Sequence, residues 1–249
     1  MNELFGFTRT VVKSRYALLT PESFVAGNLP GWKNATVIIN IAAAMGARFS
    51  QYQITLGRNS HVKGNTGPLE HFVYVVAGKC SGKIGSKQIS LRAGSYVFVP
   101  PATDFHYVGA VEKTQLLIFE KKYEPVSGSK IPAVLAGHEK NVSGQPFLGN
   151  KDARLQVLLP DAYAFDLAVN IFTYQPGATL PFVEAHVMEH GLLMLRGQGI
   201  YRLDNDWHPV KEGDVIWMAP YCPQWFVAMG KTPASYIYYK DVNRAPLSR

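Results

Sequence analysis

Short apolar runs separated by Gly- and Pro-rich breaks fill the chain, and they predict strands rather than helices. Leu192-Leu193-Met194-Leu195 is continuously apolar and is cut by Arg196-Gly197-Gln198-Gly199, which reads as a turn. Val215-Ile216-Trp217-Met218 is a second run of this kind. Gly213-Asp214 precedes it, and the corner Ala219-Pro220-Tyr221-Cys222-Pro223 follows. From Phe165 to Tyr174 the alternation is partial, as in a half-buried strand, and Gln175-Pro176-Gly177-Ala178 ends it. The last strand, Ser235 to Lys240, puts Tyr236, Tyr238 and Lys240 on one face. With no long amphipathic helical pattern, the class is all-β.

The pattern occurs twice. An offset of 119 residues carries His71 onto His190, Gly78 onto Gly197, Gly94 onto Gly213, Pro100 onto Ala219 and Lys121 onto Lys240. A fixed offset through successive strand–turn–strand units predicts two copies of one β fold. The partition is an N-terminal arm over 1–44, a first domain over 45–124, a turn-rich linker over 125–164 and a second domain over 165–249.

The copies differ where chemistry would sit. Glu184, His186 and His190 share strand parity, so an extended segment would turn all three to one side. The first copy has Asn65, Gly67 and His71 there, and Phe105 opposite Gln224, which cannot build a metal cage. His61 and His106 keep a first-half site open. Glu189 has the wrong parity to be a ligand. His208, after Trp207, is expected in an exposed hairpin turn, and His138 in a surface loop.

These positions resemble the two cupin motifs. The first usually reads His-x-His, three residues, Glu, six residues, Gly. Here it is Glu184-x-His186-x3-His190-x6-Gly197, with Glu and His exchanged. In the second motif, Ala219 stands at the usual Pro and Gln224 at the usual His. The expected fold is a bicupin of two double-stranded β-helix barrels, with Glu184, His186, His190 and Gln224 as ligands in the second. One carboxylate, two imidazoles and an amide oxygen suit Mn(II) or Fe(II), with Zn(II) or Ni(II) also compatible.

Composition narrows the class further. The chain has 249 residues, 47% of them hydrophobic, with 22 Gly and 16 Pro, enough for a large core joined by many turns. Cys80 and Cys222 have no paired spacing, which argues against a disulfide framework and fits a reducing compartment. The net charge of +7 is scattered, with no basic run and no nucleic-acid motif, so a nucleic-acid partner is not expected. Met1-Asn2-Glu3-Leu4-Phe5 lacks the basic start of a secretory leader. No apolar run approaches the roughly 20 residues of a membrane span.

The stretches Glu184–Gly191, Gly197–Trp207, Pro209–Asp214 and Tyr236–Arg244, with Tyr16-Ala17-Leu18-Leu19-Thr20-Pro21, resemble the (S)-ureidoglycine aminohydrolases. The resemblance implies Mn(II) in the C-terminal cupin only. It also implies hydrolysis of (S)-ureidoglycine to (S)-ureidoglycolate and ammonia in allantoin breakdown. Tyr201, Tyr236 and Lys240 would contact substrate, and Lys240 and Glu184 would serve catalysis. Such enzymes are homo-oligomers, and a bacterial one would be cytoplasmic. Alternatives of other classes are a metal-dependent bicupin dioxygenase or isomerase, and a non-catalytic cupin that binds a small ligand.

Overall fold

The structure is a computed structural model that describes residues 7–244. Met1–Phe5, on which the leader reading rests, lies outside them. The first strands are β1 (Val11–Val12), β2 (Tyr16–Leu19), β3 (Lys33–Ile41), β4 (Ser50–Asn65) and β5 (Leu69–Ala77). Next come β6 (Lys79–Ile84), β7 (Lys87–Arg92), β8 (Ser95–Val99), β9 (Asp104–Gly109) and β10 (Thr114–Lys122). The middle of the chain holds β11 (Leu135–His138), β12 (Gln145–Phe147), β13 (Asn150–Val157) and β14 (Leu167–Tyr174). The last are β15 (His190–Arg196), β16 (Gln198–Leu203), β17 (Asp206–Lys211), β18 (Val215–Met218), β19 (Gln224–Met229) and β20 (Ala234–Asp241). Among the described residues helix is confined to three-residue 3-10 turns, and no helix is long and apolar enough to cross a membrane.

The chain folds into two compact units. One comprises Ala26–Gln145, Gln156–Asn170 and the residues from Tyr239 on. Its nine-stranded sheet runs β11-β8-β5-β10-β4-β9-β6-β7, with β3 on β4. The long β4 pairs with β10 through its first half and with β9 through its end, so one strand serves both walls of the barrel. Val62, Val73, Val97, Tyr107, Leu116 and Ile118 fill the interior.

The other unit comprises the arm through Val25, Pro146–Leu155 and Ile171–Tyr238. One wall is the order β1-β2-β18-β15-β20-β14-β13-β12, and the facing wall is β17-β16-β19. The arm is therefore part of this barrel: β2 adds to β18, with Ala17 opposite Trp217. Arg9 fixes it there with two 2.7 Å bonds to the buried carboxylate of Asp214.

These boundaries differ from the partition at 44, 124 and 164. Residues 26–44 leave the arm, because β3 pairs with β4. Residues 165–170 and those from Tyr239 on leave the second domain. Asp166, fully buried, binds Lys121 at 2.5 Å, and Val242 N donates to Asp166 O at 3.1 Å, so the ends of β14 and β20 are tied to the first unit.

The repeat is visible strand by strand. β6 maps onto β16 and β7 onto β17 at an offset of 119. Gly78 (φ 79°) and Gly197 (φ 73°) hold the same turn. A Cβ at Gly78 would stand 2.8 Å from Thr114 Cα, and one at Gly197 would stand 2.7 Å from Ala234 Cα. The two chain neighbours there are 120 residues apart, so one extra residue sits in the turn before β20. Parity agrees. Leu116 and Ile118 line the first core, and Tyr236 and Tyr238 the second. At an offset of 119 Leu116 and Ile118 would fall on Ser235 and Ile237, on the opposite face of β20. Lys240 thus corresponds to Glu120, and the gapless match to Lys121 is corrected.

Candidate metal centre

The segment carrying Glu184 and His186 is not a regular strand. Glu184 and Gln224 form an isolated bridge, each N–H donating to the other's carbonyl at 2.9 Å. Tyr221 N then donates to His186 O at 2.7 Å. The Pro-rich corner therefore holds this stretch by its backbone, and His190 alone of the three opens a ladder strand, opposite Met218. Side chains converge through this clamp rather than through simple alternation.

Three of the four expected ligands come together. His186 Nε2 lies 3.2 Å from His190 Nε2 and 3.1 Å from Gln224 Nε2. His186 Nδ1 faces Met188 O at 3.2 Å, and a carbonyl only accepts, so the proton sits on Nδ1 and the Nε2 lone pair points into the cluster. Cis donors about 2.1 Å from an octahedral ion stand about 3.0 Å apart. The observed separations match that spacing, and with the Gln224 amide turned to present its oxygen these groups fit a divalent ion. Among the described residues no three His, Cys, Asp or Glu groups already form a cage. Burial first, and with it the Glu184 charge, raises the hydroxyls of Tyr201 and Tyr174.

An aromatic wall lines the same barrel. Tyr201 Oη donates to Gln224 Oε1 at 3.3 Å, and Tyr174 and Tyr236 share a 3.1 Å hydroxyl contact. Tyr238 meets His190 edge to face at 5.4 Å. Burial is the main cause pushing the hydroxyls of Tyr201, Tyr174 and Tyr236 well above the usual tyrosine range. They stay protonated and act as donors. Burial likewise raises the Cys222 thiol, which is no thiolate ligand. Lys240 is half-buried, two residues past Tyr238 on the same face of β20, in the other compact unit.

Sequence reading missed Tyr174 and a second role nearby. Tyr174 ends the Phe165–Tyr174 run, two residues past Phe172 on the inner face, and parity alone was the available signal. Glu189 is fully buried and accepts Trp217 Nε1–H at 2.8 Å, a structural bond within the ligand stretch. His208 is not in a turn. It lies on β17, half-buried, with Nε2 2.9 Å from Tyr16 Oη. His138 ends β11 and caps the next turn by accepting Lys140 N at 3.2 Å.

Known proteins decide the family. A Cupin domain model matches residues 170–239. The chain is 39% identical to the (S)-ureidoglycine aminohydrolase of Arabidopsis thaliana, over 99% of this chain and 82% of that one. It is 37% identical to the (S)-ureidoglycine aminohydrolase of Escherichia coli (strain K12), over 95% of this chain and 92% of the other. The chain belongs to the (S)-ureidoglycine aminohydrolase family. The crystal structure of protein Ylba from E. coli superposes with a TM-score of 0.86 at 34% identity, over 96% of both chains. At 8% identity and a TM-score of 0.73, an oxalate decarboxylase from Bacillus subtilis shares the bicupin fold.

The first barrel of this aminohydrolase relative is filled where the second is polar. Phe105 stands opposite Ile84 as Gln224 stands opposite Leu203. Gly64, not Asn65, pairs with Phe105 and so holds the Glu184 position. A Cβ there would reach 2.8 Å from Phe105 Cζ. His71 binds Glu120 at 2.9 Å, and His61 and His106 bind each other at 3.0 Å, away from it.

Proposed function

We propose that the second barrel hydrolyses (S)-ureidoglycine to (S)-ureidoglycolate and ammonia with one divalent ion, manganese, as cofactor. The observation that carries the reading is the His186–Gln224–His190 convergence in a chain of this family. Glu184, His186, His190 and Gln224 would hold the ion. When bound, the ion supplies charge stabilisation at a substrate oxygen or amine and a water of lowered pKa. Mixed oxygen and nitrogen donors without a thiolate suit manganese or ferrous iron, and the family resemblance selects manganese.

The chain's own groups do the rest. A C–O bond forms at the stereocentre, the C–N bond breaks, and the amine leaves as ammonia with a proton derived from the attacking water. Tyr201 and Tyr236 keep their hydrogens and can donate to the carboxylate and ureido oxygens. Lys240 continues the face of Tyr236 along β20 and is assigned to the substrate carboxylate or to the water. Glu184 can take a proton while ligating. Three polar arms fixed around one carbon distinguish the S isomer from its mirror image.

The test is ammonia release from freshly generated (S)-ureidoglycine, with and without chelator. Release that stops with chelator and returns with manganese is expected. No release from metal-loaded protein contradicts the reading.

A further inference from the structure

Three of the four expected ligands hang on one corner of the second barrel, and that corner hangs on the N-terminal arm. Glu184 and Gln224 exchange backbone bonds at 2.9 Å, and Tyr221 N donates to His186 O at 2.7 Å. Tyr221 has φ 60°, a left-handed backbone that an L side chain keeps only where its surroundings hold it. Its own side chain is 59% exposed, so packing does little of the holding.

The arm supplies the hold. Arg15 O accepts Ala219 N–H at 2.9 Å where the corner begins. The Arg15 guanidinium donates to Tyr221 O through Nη2 and to Asp204 Oδ1 through Nη1, the latter at 3.3 Å. Asp204 N in turn donates to Pro223 O at 2.8 Å, where the corner ends. Two acceptors on separate nitrogens suit the rigid fork of an arginine and not the single ammonium of a lysine. The bonds at Tyr221 O and Tyr221 N flank the two dihedrals of that residue. Together they fix the backbone that aims its N–H at His186.

We propose that Arg15 is a positioning residue for the metal centre. Its fork locks Tyr221 in the left-handed conformation, and Tyr221 in turn fixes the backbone of the ligand His186 and the corner that leads to Gln224. The inference rests on the ion site proposed above and adds to it a residue from the arm. The Arg15 side chain is 43% exposed, so its guanidinium can be removed without opening a cavity in the core.

The test measures Mn(II) affinity by chelator competition, and stability by urea titration, on wild type, Arg15→Met, Lys13→Ala, Tyr221→Gly and the double of Arg15→Met with Tyr221→Gly. Lys13 binds Asp206 at 2.6 Å, so it docks the same arm through another partner. Arg15→Met should weaken manganese affinity about tenfold, the low end of what the outer partners of a ligand contribute. Lys13→Ala should stay within about twofold of wild type in manganese affinity, whatever it loses in urea. Glycine adopts positive φ freely, so the double should bind manganese within about twofold of Tyr221→Gly alone. Manganese affinity within about twofold of wild type in Arg15→Met, an equal loss in Lys13→Ala, or a double as weak as Arg15→Met would overturn the proposal. If Arg15→Met does not fold, Arg15→Lys, which keeps the charge and loses the fork, is judged by the same rule. A wild type that binds no manganese removes the proposed ion site and this inference together; a wild type that binds it, with Arg15→Met unchanged, removes the inference alone.

Discussion

Phe105 and Gln224 hold the same register position in the two barrels, one opposite Ile84 and the other opposite Leu203. An apolar ring over a glycine replaces an amide beside an imidazole. The expected stoichiometry is therefore one ion per chain. Elemental analysis of His71→Ala should still find one ion. His190→Ala should weaken ion affinity by at least about 100-fold, more than loss of an outer partner does.

Trp217 Nε1–H reaches Glu189 at 2.8 Å in a fully buried setting. Removing the donor leaves a buried acceptor with one bond fewer. Trp217→Phe should lower unfolding free energy by about 1–3 kcal/mol in urea titration. Ion affinity should change little, because Glu189 faces away from the imidazole cluster.

Arg9 makes two 2.7 Å bonds to Asp214, whose side chain is fully buried. Arg9→Ala leaves that carboxylate without its cation, with the Lys211 N–H still donating to it at 2.9 Å. The expected cost is about 2–3 kcal/mol by chemical denaturation, reduced if water enters from the arm's exposed side. Hydrogen exchange should speed up at β2 and β18 first.

How much of this the sequence carried differs residue by residue. The twin-barrel plan was legible because Gly78 and Gly197 each need a left-handed turn under a close strand. The Glu184–His190 stretch carried the right residue types but the wrong local geometry, since a backbone clamp from the Pro-rich corner replaces strand alternation. Parity counting cannot see two single-residue length differences: the extra residue in the turn before β20 makes it match Lys240 to Lys121, and an extra first-copy residue between Gly64 and His71 makes it match Asn65 to Glu184. Tyr174 and the bond between Trp217 and Glu189 were hidden, because both depend on strand neighbours far apart in the chain. The tie of Asp166 to Lys121 was hidden for the same reason.

Glu70 is fully buried, and burial first, then the nearby Asp166 charge, pushes its carboxyl from 4.5 up to about 10. The folded state therefore holds a proton that the unfolded state has released. Stability from this group is complete below about pH 4.5 and is lost as pH rises toward 10. Glu70→Gln should flatten the fall in unfolding free energy between pH 6 and 9, about the range where ν differs by one proton. An unchanged slope would assign the alkaline loss to other groups.

The central claim is one divalent ion in the second barrel. Its most direct test is anomalous scattering at the manganese edge from a crystal grown with Mn(II). One strong peak bounded by Glu184, His186, His190 and Gln224 is predicted. A peak at His71 and Glu120, or no peak among those four side chains, would contradict it.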